Sequence, residues 1–230
     1  DPSNNSWTQL ASSNSALSPR KGASAVWTGD KMIVWGGIYS DYGTSQGTPK
    51  FDGAIYDPNT DSWATIALNS SFVPTARGYH KAVWTGSKMI IWGGETGYYS
   101  NSFLNDGAIY DLATDSWTIL PSVSLDGRRD FAYAWTGSEF IVWGGYGSSC
   151  FNDGASYDLA TNSWSLLPSS PLDSRSHCAF DYDGNNFIIL SGKCSSNYFE
   201  DGAIYDMNNQ KHRRHLRQRP NGAAAEGGRP

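Results

Sequence analysis

Nothing in this 230-residue chain approaches the roughly 18 consecutive apolar residues of a membrane-spanning helix, and no basic start followed by an apolar stretch marks a secretory leader. The second absence excludes little, because the first residues read as the end of a repeat unit. Histidine is scarce. His80 and His177 fall in the body, where a hydrogen-bonded position inside a strand is expected, and His212 and His215 fall near the C-terminus. Three cysteines, Cys150, Cys178 and Cys194, fit neither a metal knuckle nor a dense disulfide scaffold. They allow one disulfide with one thiol left over, and spacing does not say which pair forms it. Basic residues are few over most of the chain. Six of the 17 lie in residues 211–230 beside one acid, Glu226, which leaves 11 basic against 21 acidic residues and a net charge of −10 over the first 210. Such a body repels phosphate backbones, so neither nucleic acid nor an anionic membrane is expected as a partner. The signatures G-x-S-x-G, H-E-x-x-H and G-x-x-x-x-G-K-[ST] are missing. Asp57, Asn59 and Asp61 begin like a calcium loop, but no central Gly follows and Leu68 stands where the bidentate Glu belongs.

What the chain has is aromatic residues in register, with ten Trp and enough apolar residues for a core. Four features recur in fixed order. An Arg comes first, at Arg20, Arg77, Arg128 and Arg175. Seven residues on stands an aromatic (Trp27, Trp84, Trp135, Tyr182), followed by a Gly-containing turn and an apolar run, "MIVWGG", "MIIWGG", "FIVWGG" or "FIILSG". Last comes "DGAIYD" or "DGASYD", and six residues after its final Asp a Trp at Trp63, Trp117 and Trp164. The short β-branched and aromatic runs flanking the Gly turns predict strands a and b of a hairpin. "DGAIYD" predicts strand c, and the Asp-rich turn hands the chain to strand d. Small residues on strand a, among them Gly22, Ala23, Ala25, Ala82, Ala132, Ala134 and Ala179, suit the innermost strand of a crowded axis. Four antiparallel strands every ~50 residues make one propeller blade.

The double Gly closing strand b, the Tyr of strand c and the Trp of strand d resemble the kelch repeat, and "VWTGSKMIIWGG" resembles bacterial kelch-type cell-surface proteins. The resemblance runs from residue 1 to about 210. It departs at Ser191, which replaces the first Gly of the pair, and at His212, which stands six residues after Asp206 where a Trp is due. It implies an all-β, kelch-type β-propeller of four-stranded antiparallel blades with four repeat units present. The expected layout is a lone strand d over 1–10, blades over 20–67, 77–121, 128–168 and 175–206, and a disordered or non-native basic tail over 211–230. Asp1 shares the phase of Asp57, Asp111, Asp158 and Asp206, so the chain enters and leaves register at a c-to-d turn. Matched phase favours closure into a four-bladed ring. The six or seven blades usual in kelch propellers favour an excerpt of a larger one, whose open edges invite self-association. The resemblance also implies a secreted, periplasmic or surface-attached protein.

The ten Trp occupy repeat positions and are expected to pack between blades. Six tyrosines, Tyr39, Tyr42, Tyr98, Tyr99, Tyr146 and Tyr198, fall instead in the b-to-c loops, whose Tyr, Ser, Gly and Asn content suits binding. Phe51, Phe103, Phe151 and Phe199 are expected to tuck those loops down. Arg20, Arg77, Arg128 and Arg175 should ring the same face. In eukaryotic kelch adaptors an Arg at this pre-strand position clasps acidic peptide segments, so the resemblance implies that role for Arg77, Arg128 or Arg175. The alternative is a structural Arg bonded to loop carbonyls and carboxylates, which recurrence in every blade supports. The combined expectation is a non-catalytic module that binds a carbohydrate or an extended, acidic peptide on a protein or glycan partner. The copper site of galactose oxidase has no residue-by-residue match here, so no cofactor or metal is expected. One rival reading is a sugar-active enzyme of the sialate-mutarotase or oxidase type, with Asp41, Glu95, Asp130 and Glu200 the nearest carboxylates. The other is a structural segment of a surface protein.

Overall fold

The computed structural model describes residues 5–13, 16–39, 47–68, 72–97 and 102–207, and the backbone of 211–215. The first sheet holds β1 (Ser24–Trp27), β2 (Met32–Trp35), β5 (Gly53–Asp57) and β6 (Ser62–Thr65), with a small ladder of β3 (Ile38–Tyr39) and β4 (Thr48–Pro49) in its b-to-c loop. The second holds β7 (Lys81–Trp84), β8 (Lys88–Trp92), β9 (Gly107–Asp111) and β10 (Ser116–Ile119). The third holds β11 (Ala132–Trp135), β12 (Glu139–Trp143), β13 (Gly154–Asp158) and β14 (Ser163–Leu166). The fourth holds β15 (Ala179–Tyr182), β16 (Asn186–Leu190), β19 (Gly202–Asp206) and β20 (Lys211–His215), beside a ladder of β17 (Lys193–Cys194) and β18 (Asn197–Tyr198). Every pairing within the four sheets is antiparallel, so each is a propeller blade. The sequence reading ends the last blade at strand c and assigns 211–230 to a tail. The backbone of β20 corrects this for 211–215, which pairs with β19 in a register that sets His212 opposite Tyr205.

Each repeat signature has a mechanical job. The Gly of "DG" opens strand c where a Cβ would stand 2.3–2.7 Å from a carbonyl of strand b, as at Gly53 against Val34 and Gly107 against Ile91. The second Gly of each pair has φ between 95° and 108°, a conformation that side chains rarely adopt. Its N–H crosses to the next blade: Gly37 donates to the Arg77 carbonyl at 2.8 Å, Gly94 to Arg128 at 2.9 Å and Gly145 to Arg175 at 2.8 Å. The first Gly has φ of 65–71°, which other residues tolerate at modest cost, so Ser191 at φ 58° keeps the turn. Strand c Tyr clasps the c-to-d turn: Tyr56 donates to Asp61 and Tyr110 to Asp115 at 2.6 Å, and Tyr157 to Asn162 at 2.8 Å. The strand d Trp stacks on that Tyr with centroids 5.0–5.3 Å apart.

The core lies in the seams between blades. Val26, Ile33 and Trp35 meet Ala82, Met89, Ile91, Ala108 and Tyr110 in the first seam, and the other two seams repeat the pattern around Trp92 and Trp143. Trp packing between blades therefore holds for most of the set, but Trp7 is fully exposed and Trp27 is half exposed. Innermost strands pack in sequence, β1 on β7, β7 on β11 and β11 on β15. No comparable packing joins β15 to β1 among the described residues, so closure into a four-bladed ring is not seen.

His80 lies in the first seam, buried, its Nε2 2.7 Å from Ser24 Oγ and its ring edge-on to Trp35. Burial, with the nearby Arg77 and Lys81 charges, pushes its pKa down to about 3. A folded-state value below the unfolded value near 6.5 means that the unfolded chain takes the proton first, so stability is full above ~6.5 and is lost as pH falls toward 3. From pH 7 to pH 5 the expected loss from this group is about 2 kcal/mol. Phe131 holds the equivalent position in the third blade. His80→Phe should therefore fold and lose less stability over that interval, read as urea midpoints at the two pH values. Equal losses in parent and variant would acquit His80.

Candidate functional site

The four repeat Arg side chains are structural clamps. Arg77, Arg128 and Arg175 are fully buried, and Arg20 is nearly so. Each donates from Nε to the carbonyl two residues before it (Ser18, Thr75, Asp126, Asp173), at 2.9 Å in every blade. Each Nη1 reaches the carbonyl that ends strand b, at Gly36, Gly93, Gly144 or Ser191. Each guanidinium also pairs with the Asp of the following "DG", Asp52, Asp106, Asp153 or Asp201, at 2.7–3.0 Å. Phe151 and Phe199 lie under Arg128 and Arg175, 4.1 Å from guanidinium carbon to ring centroid. So one Arg ties the strand a entry, the strand b exit and the strand c start of its own blade. The expected ring of ligand-facing Arg is corrected, since these side chains are buried and bonded within their own blades, although Arg175 Nη2 has no hydrogen-bond partner among the described residues.

The residues after the clamp build the open surface. Two positions past each Arg the chain takes positive φ, at Gly22 (64°), Tyr79 (58°), Asp130 (54°) and His177 (54°). These turns climb from blade to blade: the Tyr79 N–H donates to the Gly22 carbonyl at 2.7 Å and the His177 N–H to the Asp130 carbonyl at 3.1 Å. Between the third and fourth blades they frame a cavity of about 220 Å³ lined by Arg129, Tyr146, Ser176, His177, Lys193 and Ser195. Arg129 pairs with Glu95 (3.1 Å) and Asp130 (2.6 Å), and its guanidinium lies 5.7 Å and 5.6 Å from the Tyr79 and Tyr146 rings. Burial pushes the Glu95 carboxyl above its usual range, while Arg129 pulls it back. Asp130 also reaches His177 Nε2 at 3.4 Å, and Ser176 Oγ lies 3.0 Å from His177 Nδ1. The Lys193 amine makes no ion pair among the described residues. A disulfide joins Cys150 to Cys194 and so ties the b-to-c loops of the third and fourth blades beside this cavity, leaving Cys178 as the free thiol.

Of the described loop tyrosines, Tyr146 alone lines the cavity. Tyr39 lies on β3 with the Lys50 ammonium 5.3 Å from its ring, and Tyr198 is largely exposed on β18. Tyr42, Tyr98 and Tyr99, like Asp41, lie outside the described residues. Phe103 packs edge-on to Tyr146, whereas Phe51 is half exposed. Glu95 and Asp130 come together on Arg129, and Glu200 lies exposed apart from the cavity lining. Sequence reasoning missed Arg129, Ser176 and Lys193. Its usable signal was departure from the repeat, since the position after the clamp is Lys21, Gly78, Arg129 and Ser176 in the four blades.

The model of the KLHDC2/KLHL20/DRC7 Kelch-repeats domain family matches residues 1–124 and 43–224. The human protein "Kelch domain-containing protein 3" is 33% identical over 149 residues, 60% of this chain and 37% of that protein. Its bovine counterpart is 34% identical over 128 residues, 55% of this chain and 32% of that protein. "Protein ral2" of fission yeast is 29% identical over 123 residues, 52% of this chain and 19% of that protein. The chain thus spans less than two fifths of the length of these relatives. They are animal and fungal proteins, which corrects the extracellular, periplasmic or cell-surface placement that resemblance to bacterial proteins implied. Repeat signatures, blade topology and family match agree: the chain belongs to the kelch-repeat domain family, a family of protein-interaction modules.

Proposed function

We propose that this kelch module binds an extended segment of a partner protein and that the cavity between the third and fourth blades takes one acidic side chain of that segment. The observation that carries the reading is the lining itself: Arg129, His177 and Lys193 with the hydroxyls of Ser176 and Ser195 and the edge of Tyr146. Arg129 is held in place by Glu95 and Asp130, whereas Lys193 makes no ion pair among the described residues and can meet an incoming carboxylate. A cation and hydroxyl donors around a half-enclosed space suit a charge-assisted contact. Its volume is that of a side-chain pocket, smaller than the usual small-molecule site. A glycan would want open aromatic platforms, and of the described loop tyrosines only Tyr198 is largely exposed.

The test is a fluorescence-anisotropy screen of short extended peptides in matched pairs, with Glu or Gln at one central position. Glu members should bind better. Lys193→Glu should weaken them by roughly tenfold or more while leaving the unfolding midpoint unchanged. Equal binding of Glu and Gln members, or Glu-dependent binding indifferent to Lys193→Glu, would remove the cavity from the reading.

A further inference from the structure

We propose that the acidic side chain held between the third and fourth blades is a phosphorylated serine of the partner, so that phosphorylation of the partner switches the interaction on. The inference rests on the reading of this cavity as an acid pocket and names the acid. Four bridges frame it. In every blade the residue after the clamp pairs with the residue after the turn that ends strand b: Lys21 with Ile38, Gly78 with Glu95, Arg129 with Tyr146 and Ser176 with Lys193. The backbone pairing repeats from blade to blade, while the side chains mounted on it do not.

Neighbouring bridges show how an anion fits. From the second bridge the buried Glu95 reaches forward to the third, its carboxylate 3.1 Å from Arg129 Nε. One blade on, the position of Glu95 is held by Tyr146, which brings no carboxylate toward the fourth bridge. Lys193 there makes no ion pair among the described residues. Glu95 and Asp130 engage Arg129 through Nε and Nη1, and neither carboxylate lines the cavity. An incoming anion thus does for the fourth bridge what Glu95 does for the third.

The donors on the lining exceed what one carboxylate uses. Arg129, Lys193 and His177 stand there with the hydroxyls of Ser176, Ser195 and Tyr146, and no acidic residue is among them. A carboxylate brings one charge and two oxygens, whereas a phosphate monoester brings a charge of about −1.5 to −2 at neutral pH and three strong acceptor oxygens. The additional charge finds its counterpart in His177. Its Nε2 lies 3.4 Å from Asp130, and its Nδ1 lies 3.0 Å from Ser176 Oγ. With the ring neutral, Asp130 accepts the Nε2 proton and Nδ1 accepts from the Ser176 hydroxyl, whose other acceptor within reach is the Lys193 carbonyl at 3.3 Å. With the ring protonated, both nitrogens donate, Ser176 Oγ accepts, and its own proton turns to a phosphate oxygen. One proton on His177 therefore supplies a charge and a hydroxyl donor together. Asp130, only 14% exposed, is placed to hold that imidazolium. The space is that of a side chain, about 220 Å³, which suits a phosphate on the short stem of serine.

The experiment measures anisotropy of labelled extended peptides on the full chain, in sets identical except for phosphoserine, Ser, Glu or Gln at one central position. Phosphoserine members should bind roughly tenfold or more tightly than their Glu counterparts, and Ser members no better than Gln. His177→Asn, which tolerates the 54° φ at that position, and separately Ser176→Ala should each reduce the ratio of phosphoserine to Glu affinity to about twofold or less. A merely structural role for either residue would lower both affinities alike and leave the ratio standing, which would overturn the proposal. Glu members that match phosphoserine members while still exceeding Gln would also overturn it and keep the acid pocket. Four members that bind alike would remove both. Inorganic phosphate that displaces the phosphopeptide at the peptide's own concentration would overturn it in favour of a site for the free anion.

Discussion

Replacing Arg128 by Met should destabilise the protein by about 4 kcal/mol and lower its melting temperature by on the order of 10 °C. The side chain is fully buried and bonds the Asp126, Gly144 and Asp153 carbonyls and both Asp153 carboxylate oxygens. Removing one partner of a buried pair typically costs about 3–5 kcal/mol. Asp153 is half exposed and rehydrates, which moves its share toward the low end. The carbonyls are harder to compensate, because Gly144 is buried beside the Arg175 carbonyl of the next blade and Met offers no donor. Shape loss adds little, since Met fills the space over Phe151. Arg128→Lys keeps the charge but one ammonium cannot reach three carbonyls and a carboxylate, so it should recover only part of the loss. A Met variant that unfolds within about 1 kcal/mol of the parent would deny the clamp its structural role.

The clamp also shows why the fold was easier to read from sequence than the site. Arg20, Arg77, Arg128 and Arg175 recur because every blade solves the same problem of satisfying three carbonyls where strands a, b and c converge. Anything that repeats is visible in one sequence without an alignment. The same holds for the double Gly, the strand c Tyr and the strand d Trp, whose spacings gave strands a to d of the first three blades and a to c of the fourth. Function falls where the repeat fails. Arg129, one residue past a clamp, reads as part of an Arg pair, yet its neighbours Glu95, Tyr79 and Tyr146 come from two blades and three loops. Lys193 and Ser176 carry no pattern at all. β20 was missed for a related reason: His212 stands where the strand d Trp is due, so the repeat signature stops at strand c. The cysteine pair was likewise beyond reach, since Cys150 and Cys194 are 44 residues apart in sequence and meet only when two blades stack.

That pair supports the second large effect. Cys150→Ser combined with Cys194→Ser should cost up to about 4 kcal/mol, the entropy of a closed loop of this length in the unfolded chain. Urea unfolding of the double variant beside the parent measures it, with Cys178→Ser as the control. Burial pushes the Cys178 thiol up to about 11, so it supplies little thiolate to attack the disulfide, and that control should match the parent. Parent protein in excess dithiol should then unfold like the double variant. The third seam would still hold its core around Trp143 and the Gly145 to Arg175 bond, so the blades should stay stacked. What loosens is the pair of loops carrying Tyr146 and Lys193, on opposite sides of the cavity. Binding of Glu-bearing peptides should therefore weaken on reduction before the propeller unfolds. A double variant as stable as the parent would mean that seam packing alone sets the geometry of the cavity.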